Sequence, residues 1–151
     1  MIIVYFSQSG TTAQAANELH KLTQAAIYRL EPVKAYPSDF STLADRAKSE
    51  VEQDIHPQLQ DQKLDLSGET KIMLGFPTWW HQAPMIIASF FDNYDLKDKE
   101  ILPFTTSGQS SIKESLPSVK KWAIASGAHV GAALTANATA AITKFVNEND
   151  L

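Results

Sequence analysis

The chain begins Met1-Ile-Ile-Val-Tyr-Phe6 and continues as Ser7-Gln-Ser-Gly-Thr-Thr12. An unbroken apolar run rich in β-branched and aromatic residues is typical of a strand that is covered on both faces of a parallel sheet. The polar residues that follow predict a turn, and alanine and leucine at helical spacing beyond it predict a helix. The opening segment therefore predicts the first strand–turn–helix unit of an α/β fold.

The same order recurs along the rest of the chain. Apolar runs predict four more strands, at Ala26–Leu30, Lys71–Phe76, Glu100–Thr105 and His129–Leu134. Helical spacing predicts five helices, over about Thr12–Leu22, Thr42–Ile55, Met85–Phe91, Lys113–Ala125 and Ala138–Asn147. A polar connector covers about Gln58–Glu69. Five strand–helix units predict one α/β domain over residues 1–151, with a parallel sheet between two layers of helices.

Composition restricts the possible functions. The 151 residues are 44% hydrophobic and 20% charged, which is ordinary for a globular domain. The net charge of −4 argues against a nucleic-acid partner. The absence of cysteine excludes disulfides, thiolate metal sites and thiol catalysis. No run approaches the roughly 20 apolar residues of a membrane span, and Met1–Phe6 is too short for a signal peptide, so we expect no membrane partner and a cytoplasmic protein.

Three polar loops follow the first, third and fourth predicted strands. They are Ser7–Thr12, Pro77–Pro84 and Thr106–Ser111. In a doubly wound sheet of five strands these strands would be neighbours near the point where the strand order reverses. Ligands of such sheets bind beyond the carboxyl ends of the strands at that point. We therefore expect the three loops to converge on one site.

The first loop combines four hydroxyl side chains with one glycine, directly before a helix. Unpaired amides and a partial positive charge make a helix N-terminus a site for anions. Serine and threonine are also the usual residues that cap a helix, so a purely structural role is the alternative. The loop lacks the glycine and lysine pattern of a P-loop and the glycines of a dinucleotide fingerprint.

The second loop carries adjacent tryptophans, Trp79 and Trp80, beside Thr78. One of them could stack on a planar aromatic ligand. Alternatively, one packs on the core and the other on a partner protein. His81 follows them and is either a site residue or an exposed loop histidine. Trp122, on a predicted helix, is interpreted as core packing.

The third loop could offer amides to a polar ring edge, or simply begin a helix capped by Ser110 or Ser111. The four histidines are scattered without ligand spacing, so no metal site is expected, and no side chain stands out as catalytic. Acidic residues of the second predicted helix are interpreted as a solvated face, and they include Asp45, Glu50, Glu52 and Asp54.

Taken together, the loops resemble those of flavodoxins, specifically short-chain flavodoxin-like proteins with a P-x-W-W second loop. The similarity covers nearly the whole chain. It rests on Ser7–Thr12, on Gly75–Trp80 followed by Ala83-Pro84, on Phe104–Gly108, and on Arg46-Ala-Lys48 with Glu50 in the second helix. The resemblance implies a flavodoxin-like three-layer sandwich whose five parallel strands lie in the order 2-1-3-4-5.

The resemblance also implies bound FMN. Its phosphate would be held by Ser7, Ser9, Gly10, Thr11 and Thr12. Its ribityl chain and ring would be lined by Pro77, Thr78, Trp79 and Trp80, and the opposite ring edge by Thr106, Ser107 and Gly108. His81 would adjoin the ring in place of a glycine that relatives often carry there, and histidine adopts a positive φ less readily.

Three functions follow from these expectations. The first is electron transfer through bound FMN to a redox partner protein. The second is an NAD(P)H- or quinone-linked FMN-dependent reductase with a small-molecule acceptor. The third is a flavodoxin-shaped binding module without redox turnover.

Overall fold

The computed structural model describes residues 1–60 and 64–151. The predicted connector at about Gln58–Glu69 therefore lies partly outside the described residues. The strands are β1 (Ile2–Tyr5), β2 (Ala26–Arg29), β3 (Lys71–Pro77), β4 (Glu100–Thr106), β5 (His129–Val130) and β6 (Leu134–Thr135). The helices are α1 (Thr11–Thr23), α2 (Phe40–Glu52), α3 (Met85–Asn93), α4 (Ile112–Ala125) and α5 (Thr139–Glu148).

The strands form one sheet in the order β2-β1-β3-β4-β5, and β6 also pairs with β4. All of these pairs are parallel, with Val4 opposite Tyr28 on one side and Leu74 on the other. The predicted strand order and the three-layer architecture are confirmed. This order makes β1, β3 and β4 adjacent, so that the loops after them leave the same edge of the sheet.

Alternate residues of each central strand enter opposite cores, as the two-residue period of a strand requires. Ile3 and Tyr5 of β1 pack with residues of α1 and α5, such as Leu19 and Phe145. Val4 packs on the other face, within a core that includes residues of α3 and α4. Because both faces are covered, the continuous apolar runs of β1, β3 and β4 leave no polar face, and all four residues of β1 are buried.

The sequence predicted one continuous fifth strand over His129–Leu134, and this prediction was wrong. The structure has two short strands, β5 and β6, both alongside β4. Gly131 begins the interruption, where its amide donates to the Ile101 carbonyl at 2.8 Å. A Cβ at this position would lie 2.3 Å from Oε1 of Glu100, so a larger residue here would displace the side chain of Glu100. The Gly-Ala-Ala run also has low strand propensity, which favours the break.

The second helix also differs from its prediction. It begins at Phe40, because the Asp39 carboxylate caps it by accepting from the Thr42 amide at 2.7 Å, and it ends at Glu52. The interpretation of its acids as a solvated face was wrong for Glu50, which is buried. The interpretation of Trp122 as core packing is confirmed, since it contacts Phe91. No helix in the described part of the chain is long and apolar enough to cross a membrane.

Candidate functional site

A cleft of about 740 Å³ opens at the carboxyl ends of the central strands. Seven of the residues predicted for the site line it: Ser9, Thr11, Pro77, Thr78, Thr106, Ser107 and Gly108. The other six, which are Ser7, Gly10, Thr12, Trp79, Trp80 and His81, lie in the same loops without lining this cleft. The fold thus brings all three predicted loops to one place, while individual side chains within them point in different directions.

The first loop is folded around the hydroxyl of Ser7. Its Oγ accepts hydrogen bonds from the amides of Gly10, at 3.2 Å, and Ala13, at 3.1 Å. Ser7 is buried, so this oxygen stabilises the turn from within. Gly10 immediately precedes α1 with φ 97°, a left-handed conformation that favours glycine. These contacts determine how the first turn of α1 faces the cleft.

Two hydroxyls of this loop remain available to a ligand. Ser9 and Thr11 are exposed, with their oxygens 3.3 Å apart, and both line the cleft. The amides of Thr11 and Thr12 meet no acceptor among the described residues, as expected for the first turn of a helix. Hydroxyl donors next to unpaired amides at the positive end of a helix form a site suited to a phosphate.

Thr12 has a different role. Its side chain is buried, and its Oγ1 lies 2.7 Å from Oγ1 of Thr106. This hydrogen bond joins the first loop to the end of β4. A comparable link joins the second loop to β4, because Oγ1 of Thr78 lies 2.8 Å from Oγ1 of Thr105. The cleft walls are therefore tied together by pairs of hydroxyls.

The second loop contains a tight turn. The amide of Trp79 donates to the Gln82 carbonyl at 3.0 Å, and the Gln82 amide donates back at 3.2 Å. The two central residues, Trp80 and His81, have φ of 52° and 63°. Two successive positive φ values are characteristic of a type I′ turn, which usually contains glycine or asparagine. Each non-glycine residue in this conformation costs roughly 1–2 kcal/mol, so the turn is strained.

The two tryptophans point in different directions from this turn. Trp79 is half-buried and meets the rings of Phe6 and Tyr36 edge to face, with centroids 5.4 and 5.1 Å away. Trp80 is 47% exposed and lies on α2, where its indole Nε1 donates to the Ala44 carbonyl at 3.1 Å. The side chain of Lys48 extends over the Trp80 ring. Of the two, Trp79 therefore packs against the core, whereas Trp80 lies on the surface.

His81 is exposed, with its Nδ1 3.2 Å from Oε2 of Glu114 at the start of α4. Hydrogen bonds from Ser110 and from His81 lower the pKa of Glu114 below its ordinary value. The pair links the strained turn to the first turn of α4. Because both groups are exposed, the link contributes little to stability.

The third loop is held by its neighbours. The Ser107 amide donates to Oδ1 of Asn137 at 3.0 Å, and the Ser107 hydroxyl accepts from the Ser110 amide at 3.1 Å. Ser111 caps α4 by accepting from the Lys113 amide, which confirms one of the two predicted caps. The loop thus begins a capped helix and, through Ser107 and Gly108, also lines the cleft.

Sequence reasoning missed a fourth wall of the cleft. It includes Ala136–Ala138 before α5, Thr139 at the start of α5, and Gln14 and Glu18 on α1. The Thr139 hydroxyl donates to Oε2 of Glu18 at 3.1 Å, which joins the two helices. The sequence contained a signal for this wall, because Ala136-Asn-Ala-Thr139 is a further short segment with polar residues where a strand leads into a helix. The described residues contain no cluster of side chains that could hold a metal ion.

Comparisons with known proteins agree with this fold. A proposed flavoprotein from Bacteroides eggerthii DSM 20697 is 30% identical, and the match covers 99% of this chain and 97% of that one with a TM-score of 0.84. A flavoprotein from Lactobacillus acidophilus NCFM, solved in complex with FMN, shares the fold at 21% identity, with 87% and 89% covered and a TM-score of 0.78. No curated protein matches the chain. A family model described as flavodoxin matches residues 1–149, and the chain therefore belongs to the flavodoxin family.

Proposed function

We propose that this protein binds FMN in the cleft and transfers electrons through it. The observation that carries the proposal is the phosphate-binding geometry at the first turn of α1. There the exposed hydroxyls of Ser9 and Thr11 adjoin two unpaired amides. Family membership and the FMN in the Lactobacillus relative support the choice of ligand. The cleft also lies within the usual size range of about 300–1,000 Å³ for a small-molecule site.

The phosphate would be held without a basic side chain. The residues that line the cleft include no lysine or arginine within the described ranges. Neutralisation would come from the hydroxyls of Ser9 and Thr11, the amides of Thr11 and Thr12, and the dipole of α1. The buried hydroxyls of Ser7 and Thr12 would support this site by holding the first loop in its conformation. Gly10 would supply the turn that exposes the amides.

The ribityl chain and ring would lie against Pro77 and Thr78 on one side and the third loop, Thr106–Gly108, on the other. A tryptophan of the P-x-W-W segment would provide the stacking face, with His81 at the rim. Bound flavin supplies the electron-transfer chemistry, while the protein binds, orients and shields it. We assign no catalytic side chain. We further propose a cytoplasmic location, which suits a chain without cysteine.

A second candidate function is an NAD(P)H- or quinone-linked reductase. One observation favours it: the cleft continues past the three loops, between α1 and α5, along Gln14, Glu18 and Asn137. A carrier that only passes electrons to a docked protein needs no such room. A reductase needs space for a small substrate beside the flavin, and this extension would provide it.

The proposal is tested by measuring equilibrium binding of FMN, riboflavin and FAD to the purified protein through flavin fluorescence. We expect FMN to bind more tightly than riboflavin, because only FMN has a phosphate. Equal affinities for the two would refute the phosphate site, and no binding of any flavin would refute the cofactor.

The FMN-loaded protein then separates the candidate functions. It is reduced anaerobically with dithionite and mixed with a quinone, with NADP⁺ or with an oxidised haem protein. Rapid electron transfer to the haem protein alone supports a carrier, and turnover with NADPH and a quinone supports a reductase. A flavin that cannot be reduced or reoxidised on the protein would leave only a binding module.

A further inference from the structure

The cleft extends well beyond the three loops that would hold FMN. Eight of the fifteen residues that line it lie outside those loops, on α1, on α5 or in the short segment between β6 and α5. We call this part of the cleft the α1–α5 groove. It is continuous with the proposed phosphate site, since Thr11 and Gln14 lie on successive turns of α1 and both line the cleft.

Two polar side chains of the groove have unused hydrogen-bonding capacity. Glu18 accepts from the Thr139 hydroxyl through Oε2 at 3.1 Å, and its Oε1 meets no donor among the described residues. Oδ1 of Asn137 accepts from the Ser107 amide at 3.0 Å, and no acceptor in the described part of the chain meets its Nδ2. The groove therefore offers a ligand one held carboxylate acceptor and one held amide donor.

The floor of the groove is apolar. It includes Ala15, Ala136 and Ile142, which are each at most 5% exposed and belong to the core on this face of the sheet. An apolar floor flanked by a few polar groups is typical of a small-molecule site, and it suits the face of an aromatic base.

The charge along α1 selects the kind of ligand. Within the described ranges, Glu18 is the one charged side chain that lines the cleft. It lies seven residues beyond Thr11, which is about 10 Å along the axis of a helix. The first turn of α1 favours a phosphate, whereas the Glu18 carboxylate repels anions and accepts from N–H groups. The cleft thus matches a ligand that is anionic beside Thr11 and uncharged, with N–H donors, beside Glu18.

We propose that the α1–α5 groove binds the adenosine end of FAD, so that the cleft holds this dinucleotide as well as FMN. The adenine would lie on the apolar floor, donate from its amino group to Glu18 and accept from Asn137. Carboxylates and side-chain amides are the groups that recognise the polar edges of bases. The inference rests on the proposed function, because the adenosine is attached through the phosphate that the first turn of α1 would hold.

The charge of the two flavins supports this choice. A terminal phosphate such as that of FMN carries about −1.5 to −2 charges at pH 7, whereas each phosphate of FAD carries one. No lysine or arginine is found among the described residues that line the cleft. Hydroxyls, amides and a helix dipole are better matched to single charges on two phosphates than to a concentrated dianion.

The test compares the dissociation constants of FAD and FMN for the purified protein by isothermal titration calorimetry. We expect FAD to bind at least about tenfold more tightly, because a hydrogen bond to a carboxylate contributes roughly 10- to 150-fold before ordering costs. FAD that binds no more tightly than FMN would overturn the inference. FMN binding in that case would leave the proposed function intact.

Three variants locate the adenosine. Glu18→Ala removes the carboxylate and should weaken FAD about tenfold without changing FMN. Thr139→Val is the matched control: it breaks the same contact between α1 and α5 but keeps the carboxylate, and it should change neither flavin by more than about twofold. Ala138→Phe introduces a large side chain at an exposed position that lines the groove, and it should reduce FAD binding to the level of FMN.

The affinity for FMN in each variant reports that the protein is folded and that its phosphate site is intact. If FAD remains the tighter ligand by the same factor in both Glu18→Ala and Ala138→Phe, the adenosine lies elsewhere and the inference fails. NADH is then added to the FMN-loaded protein. If NADH binds there and is lost in Ala138→Phe, while FAD has no higher affinity than FMN, the groove holds a separate substrate, which overturns the inference and supports the reductase. No binding of any flavin would refute the proposed function as well.

Discussion

Ser9→Ala and Thr12→Ala each remove one hydroxyl from the first loop, yet they should have different effects. Ser9 is exposed, and within the described part of the chain its hydroxyl meets only that of Thr11, at 3.3 Å. Its loss should cost little stability and remove one hydrogen bond to the phosphate. A hydrogen bond to a charged group is worth about 1.5–3 kcal/mol, or roughly 10- to 150-fold in affinity for FMN. Riboflavin should bind as before.

Thr12→Ala should act on the fold instead. The hydroxyl of Thr106, which is 4% exposed, would lose its partner at 2.7 Å. Leaving a buried hydroxyl without its partner costs about 1–3 kcal/mol of the free energy of unfolding. Because this bond joins the first loop to β4, FMN and riboflavin should weaken by similar factors.

The assay pairs flavin titrations with urea denaturation for both variants, and Ser41→Ala on an exposed part of α2 is the matched control. The control should change neither measurement. Equal weakening of both flavins by Ser9→Ala would show that the first loop only caps a helix. A selective loss of FMN in Thr12→Ala, with stability unchanged, would refute the assignment of its hydroxyl to Thr106.

The remaining predictions concern backbone strain and pH. Gly10→Ala should lower the free energy of unfolding by about 1–2 kcal/mol in urea, because φ is 97° while a Cβ would meet no atom within 4 Å; an unchanged midpoint contradicts this. His81→Gly should raise the free energy of unfolding by up to about 1 kcal/mol, because it relieves the positive φ. A lower free energy of unfolding would show that the contact with Glu114 dominates. Partial burial lowers the pKa of His56, but hydrogen bonds to Asp92 and Asp54 outweigh it and raise the pKa above its ordinary 6.5. The stabilisation of the fold by protonated His56 is therefore complete below pH 6.5 and is lost as the pH rises through the folded-state pKa. Denaturation at several pH values should show a smaller loss of stability over this range in Asp92→Asn than in the unmodified protein.

Local pattern accounts for most of the fold. Continuous apolar runs identify β1, β3 and β4 because these strands are covered on both faces, and the strand–helix alternation then allows few topologies. The error at the fifth strand shows where local pattern fails. His129–Leu134 contains the apolar residues of a strand, but the break at Gly131 depends on how closely β4 approaches, which involves side chains about 30 residues away.

The sequence by itself also determined which loops meet, because parallel strands present all their carboxyl ends at one edge of the sheet. Only the tertiary structure decided which side chains within those loops face the cleft. Ser9 and Thr12 are three positions apart in one polar stretch, yet one is open to a ligand and the other pairs with Thr106, 94 residues away. The sequence indicated that Glu50 is a solvated acid, whereas in the structure it is buried and accepts hydrogen bonds from Tyr36 and Arg46. Local periodicity reports which face of an element is apolar, whereas the partner of a polar group is set by contacts between distant segments, and these exist only once the layers have packed.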